Sequence, residues 1–131
     1  MARLLNAAAI LILTTGIATA ATAAHVPASA RKLTGAEIVR LYDNTWFRFH
    51  NYMKPVTTGT FLVNFAARTA SGTYKTGKRR GNWRGTVRIR GDKFCRTIGK
   101  QRETCVFLYV DGGDVYEVNS RGRIESKNKR N

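Results

Sequence analysis

Acidic residues are scarce in this chain, eight among 131 against 23 lysines and arginines, and no spacing among them singles out a pair for general acid–base work. Histidine occurs twice, at His25 and His50, and cysteine twice, at Cys95 and Cys105. Two separated histidines and two pairable cysteines do not furnish a zinc site. No Gly-x-Ser-x-Gly elbow is present, so the activated serine of that motif is missing. Asp92, Asp111 and Asp114 stand beside glycines, where a short carboxylate commonly bonds its own backbone. His50 closes the run Trp46-Phe47-Arg48-Phe49 and reads as a strand-end residue rather than a base. These absences assign no catalytic residue, no metal and no cofactor, and they favour a binding role over an enzyme with an undetected carboxylate site.

Long apolar runs are missing as well. The apolar centre of the N-terminus, Ala7 to Leu13, falls well short of the roughly 20 residues that a membrane-spanning helix needs. With Arg3 ahead of it and the small-x-small triplets Ala18-Thr19-Ala20 and Ala21-Thr22-Ala23 behind it, residues 1–23 read as a secretory signal peptide. No cysteine precedes Cys95, which excludes a lipid-anchored cleavage product. The mature chain is expected in the periplasm or secreted, without a transmembrane span. It is long enough for one domain and too short for two.

Residues 24–32 read as a flexible lead-in, residues 33–126 as a single β-rich domain and residues 127–131 as a frayed basic tail. Thr34-Gly35-Ala36-Glu37 has capping-box spacing, and Ile38, Leu41 and Tyr42 follow at helical spacing. From Thr45 onward β-branched and aromatic residues dominate, with turn residues every eight to twelve positions. Strands are expected near 45–50, 60–66, 72–76, 82–90, 93–98, 104–110, 115–119 and 123–126. The fold class is mostly β (α+β): a short N-terminal helix on a twisted antiparallel sheet, which can close as a small barrel. Large rings such as Trp46, Phe61, Trp83 and Phe94 are expected to fill its interior rather than to line a ligand cavity.

Cys95 and Cys105 are symmetric about position 100, so a hairpin turning at Gly99-Lys100 sets them opposite each other. Opposed residues in an antiparallel pair lie about 4.5 to 5.5 Å apart at Cα, within disulfide reach. Export makes that bridge persistent. The same register places Phe94 opposite Val106 and Arg96 opposite Thr104.

The excess charge is concentrated. Eleven of the 23 basic residues fall between Lys75 and Arg102, with Asp92 the only acid among them. In the stretch 82–90, Trp83, Val87 and Ile89 alternate with Arg84, Arg88 and Arg90, the period-two pattern of one buried and one wet face. Lys78, Arg79 and Arg80, in the turn just before, extend the row. Guanidinium forks bind phosphate and carboxylate oxygens two at a time, so these six side chains are the candidate anion-binding set, opposed by the plainer reading of a solvated basic face. Trp83 lies on the other side, which argues against base stacking on a single strand. The expected partner is an anionic polymer or an acidic protein surface, and self-repulsion favours a monomer or weak oligomer. A protein–protein inhibitor or adaptor is the remaining alternative.

Leu33-Thr34-Gly35-Ala36-Glu37-Ile38, then Gly81-Asn82-Trp83, Gly91-Asp92-Lys93-Phe94-Cys95 and a second cysteine before a last hairpin resemble a family of small exported alphaproteobacterial domains of unknown function. The resemblance spans about Leu33 to Ile124 and implies export, one β domain and the Cys95–Cys105 bridge. It implies no substrate. The basic Lys78-Arg79-Arg80 turn departs from that family's more polar or acidic one.

Overall fold

The computed structural model describes residues 25–131, so the leader read at residues 1–23 lies outside the described residues. Nine strands and one helix follow in chain order: β1 (Arg31–Lys32), α1 (Gly35–Tyr42), β2 (Trp46–Asn51), β3 (Thr57–Asn64), β4 (Thr69–Thr76), β5 (Arg79–Arg90), β6 (Lys93–Ile98), β7 (Thr104–Asp111), β8 (Asp114–Val118) and β9 (Ile124–Arg130). Each strand from β2 to β9 pairs antiparallel with the next, and β9 returns to pair with β2, Phe49 opposite Asn128. The sheet is thereby closed into an eight-stranded barrel, which removes the unpaired edges of an open sheet. Closure demands tight coiling. A Cβ on Gly72 of β4 would lie 1.8 Å from the carbonyl oxygen of Thr60 on β3, so only glycine allows this approach.

One end of the barrel is shut by α1. Thr34 Oγ1 accepts from the Glu37 N–H and the Thr34 N–H donates to Glu37 Oε2, the expected capping box. The Gly35 N–H donates to Asp92 Oδ1 in the β5–β6 turn (2.9 Å), and Asp43 Oδ1 past the helix end accepts from the Phe65 N–H (2.9 Å). These two carboxylates strap the helix across the barrel end. Its buried stripe, Ile38 and Tyr42, drops inward, and the Tyr42 ring packs edge-on against Phe47, Phe61 and Phe94 at centroid distances of 4.9, 5.1 and 5.3 Å.

Two expectations at the ends of the domain are corrected. Arg31 and Lys32, assigned to a flexible lead-in, pair with Val110 and Tyr109 of β7, where the β6 pairing has run out. Residues 127–130, assigned to a frayed tail, form the second half of β9 and complete the closure with β2 and β8. Ser126 and Asn128 point inward while Lys127 and Lys129 point out to Asp114. Backbone pairing to two neighbours outweighs the charge of this segment because the lysine stems reach solvent from the outer face.

Candidate functional site

At the end opposite α1 the barrel is open, and its interior is not filled by rings as expected. A cavity of about 370 Å³ lies inside, reaching from Phe94 and Val63 to Asn51, Thr57 and Gln101 at the rim. Its two walls differ in kind. Inward positions of β2 to β5 supply Phe49, Phe61, Ala70 and Trp83, with Asn51 and Thr57 toward the rim, whereas β6, β8 and β9 supply Arg96, Glu117, Ser126 and Asn128 beside Phe94 and Ile98.

The polar wall is a connected network. Glu117 Oε1 accepts from Asn128 Nδ2 (3.0 Å) and from the Tyr42 hydroxyl (3.4 Å), and Oε2 accepts from Arg96 Nη1 (2.5 Å). Asn128 Nδ2 also donates to the Tyr42 oxygen (2.7 Å), and the Ser126 hydroxyl donates to Asn128 Oδ1 (2.9 Å). Glu117 and Asn128 are 3% and 0% exposed, so the carboxylate is buried with a guanidinium partner, the condition under which a buried charge survives. Burial opposes the charge of Arg96, but the Glu117 carboxylate outweighs it and raises the guanidinium's pKa. Burial, reinforced by Glu117, holds the Tyr42 hydroxyl well above its ordinary 10.0.

Neither half of this network stood out in the sequence as functional. A signal for it was present: Arg96 shares parity with Phe94 and Ile98, and Glu117 with Val115, so period-two alternation already set both on the inward face.

On the outside, the hairpin register is as expected, with Cys95 opposite Cys105, Phe94 opposite Val106 and Arg96 opposite Thr104. The two cysteines are joined. They lie beside Glu103, yet as a disulfide they have no thiolate to offer a metal. Arg84, Arg88 and Arg90 project together from β5, with Val87 and Ile89 turned inward. Arg88 binds Glu103 with two parallel hydrogen bonds (Nε 2.6 Å, Nη2 2.7 Å), and Arg90 reaches the same carboxylate at 3.4 Å. The Arg88 hydrogen bonds hold Glu103 below the usual carboxylate range. The expected six-residue set is therefore divided. Lys78, Arg79, Arg80 and Arg84 have no carboxylate within 4.0 Å among the described residues, and Lys75 joins them, since it stands opposite Arg80 in the β4–β5 register.

All eight acids lie in the described residues, and each is engaged: Glu37, Asp43 and Asp92 around α1, Asp111 with Ser29, Asp114 with two lysines, Glu103 and Glu117 with arginines, Glu125 with Asn119. His50 is exposed on the outer face of β2, far from forming an acid–base pair with Glu117 inside. No helix among the described residues is long and apolar enough to cross a membrane. No family model, curated protein or solved structure matches this chain, so the chemistry of its surfaces has to be read from their geometry.

Proposed function

We propose that this chain is an exported, noncatalytic binding module that engages an anionic polymer of the cell envelope or of a host through the outer face of its β4–β5 hairpin. The observation that carries this reading is the concentration of Lys75, Arg80 and Arg84 on the outer face of one hairpin, with Lys78 at its turn, none with a carboxylate partner among the described residues. Arg79 and Arg80, expected in the turn, lie on β5, and Arg79 has the parity of Trp83 and so belongs to the other face. Thr58, Thr73 and Asn82 lie beside Lys75 and Arg80 in a shallow groove and add neutral hydrogen-bonding groups to the positive ones. Strands hold Lys75, Arg80 and Arg84 at fixed spacing on a closed barrel, so a repeating anion meets a preorganised row. Arg88 and Arg90 contribute less because they share Glu103.

A salt titration of binding to inorganic polyphosphate tests this. Each neutralised phosphate adds about 0.7 to the log–log salt slope for a flexible strand, and three of the four changes in a Lys78/Arg79/Arg80/Arg84→Ala variant fall at or on that face, so it should lower the slope by roughly 2. An Arg88/Arg90→Ala variant, which frees Glu103 at the same time, should lower it by about 1. Equal slopes in the wild type and the hairpin variant would sink the proposal.

A further inference from the structure

The interior cavity has features that the outer hairpin does not use. Its volume of about 370 Å³ is at the small end of the roughly 300–1,000 Å³ range of pockets that hold low-molecular-weight ligands. One wall is mainly apolar and the other carries the charged pair with Ser126 and Asn128, which matches a molecule with a hydrocarbon body and a single polar end.

Hydrogen-bond bookkeeping identifies that polar end. The strongest acceptor in the cavity, the Glu117 carboxylate, already takes bonds from Tyr42, Asn128 and Arg96, and Asn128 Oδ1 takes one from Ser126. Donors are left over. Trp83 Nε1 is buried on the cavity wall without a partner, although an indole N–H enclosed by protein normally finds one. Arg96 lines the same cavity and gives the protein one hydrogen bond among the described residues, through Nη1, whereas a guanidinium carries five N–H groups. A head group made of acceptors fits this surplus, and a head group made of donors does not.

The rim selects the same sign of charge. The four connections at the open end, residues 52–56, 77–78, 99–103 and 119–123, carry Lys54, Lys78, Lys100, Arg102, Arg121 and Arg123. Their single acid is Glu103, which is bound to Arg88 and Arg90. Such a collar raises the local concentration of anions at the mouth. Residues 52–56 also expose Tyr52, Met53 and Val56 by 45%, 44% and 48%, an apolar lip beside the cationic one.

We infer that the barrel cavity binds a small amphiphilic carboxylate, its head accepting from Trp83 Nε1 and the free edge of Arg96, its hydrocarbon body lying against Phe49, Phe61 and Phe94. The site lies inside the barrel, shares Lys78 at its rim with the hairpin surface, and does not depend on polymer binding there.

Decanoate, decan-1-ol and decylammonium, three probes with the same tail, decide the matter. Trp46 and Trp83 are the two tryptophans, so a Trp46→Phe variant leaves Trp83 emission as the reporter inside the barrel. Decanoate should bind saturably at one equivalent and shift that emission, the alcohol should bind at least tenfold more weakly, and the ammonium should not saturate. By calorimetry, Trp83→Phe, which removes the N–H and keeps a ring, should weaken decanoate about tenfold, as expected for one hydrogen bond to a charged group. Ala70→Leu fills the cavity from β4 and should abolish binding. Ile98→Trp, which narrows the mouth at a partly exposed position, serves as a second blocking variant if Ala70→Leu does not fold. At about 0.5 M salt, where exposed charges are strongly screened, polyphosphate binding should vanish while decanoate binding persists, so failure at the hairpin and failure in the cavity are told apart. Equal affinity for the three probes would overturn the inference. So would undiminished decanoate binding in a folded blocking variant.

Discussion

At the helix-capped end, Glu37, Asp43 and Asp92 each accept from a backbone N–H, and Tyr42 sits among three rings. At the open end six loop cations face one already paired acid, three large apolar side chains stand exposed, and the interior holds a cavity. With only eight acids available, their placement decides where charge is neutralised. The capped end uses three of them to hold α1, and the open end is left positive. The contacts that hold the helix and the charge left without partners are thereby located at opposite ends of one barrel.

Substitutions can break or sharpen that contrast. The largest effect is expected at the capped end: Tyr42→Ala removes a buried ring and orphans part of the Glu117 network, and should cost roughly 3–5 kcal/mol in urea unfolding. The same residue governs alkaline behaviour. Because the folded protein raises the Tyr42 pKa above its ordinary 10.0, its contribution to stability is complete below that pH and declines as pH rises toward the folded value. Tyr42→Phe should flatten this part of the stability curve, though it lowers stability at neutral pH.

The Cys95–Cys105 bridge closes the 99–103 loop of the open end. Replacing both cysteines by alanine should cost about 2–3 kcal/mol, since a hairpin that forms early gains less from cross-linking than the loop-entropy value. Hydrogen exchange should loosen at β6 and β7 before it loosens at α1. Gly35→Ala is expected to cost roughly 1–3 kcal/mol, because its Cβ would lie 2.3 Å from the Gly91 carbonyl oxygen and 2.8 Å from Ile89 Cγ2, lifting the helix off its strap. Smallest in stability is the hairpin variant Lys78/Arg79/Arg80/Arg84→Ala, which should shift unfolding by no more than about 0.5 kcal/mol per site while removing most polyphosphate binding. A large stability loss there would show that the open end is structural as well.

Runs of β-branched and aromatic residues between turn residues located β2 to β8, although β3, β4 and β5 each begin three residues earlier than expected, and the capping box marked the helix start. The Cys95–Cys105 register followed from symmetry about one glycine turn. What escaped notice has a common physical cause. Lys127, Lys129 and Arg130 look like a solvated tail because their inward neighbours, Ser126 and Asn128, are polar, so the strand carries no hydrophobic alternation. Arg96 and Glu117 look like surface residues because they are charged, although their parity with Phe94 and Val115 sets them inside. Arg88 and Arg90 looked equivalent to Arg84 until the 99–103 loop brought Glu103 against them.

Local chemistry, then, was enough to locate β2 to β8, the helix cap and the cystine hairpin, since each depends on residues near in sequence and on fixed backbone periods. Closure of β9 onto β2, the meeting of Tyr42, Arg96, Glu117 and Asn128 in one network, and the choice of which cations stay unpaired were decided only in three dimensions. Each of these joins side chains that lie far apart along the chain, and each depends on burial, which no single residue carries by itself.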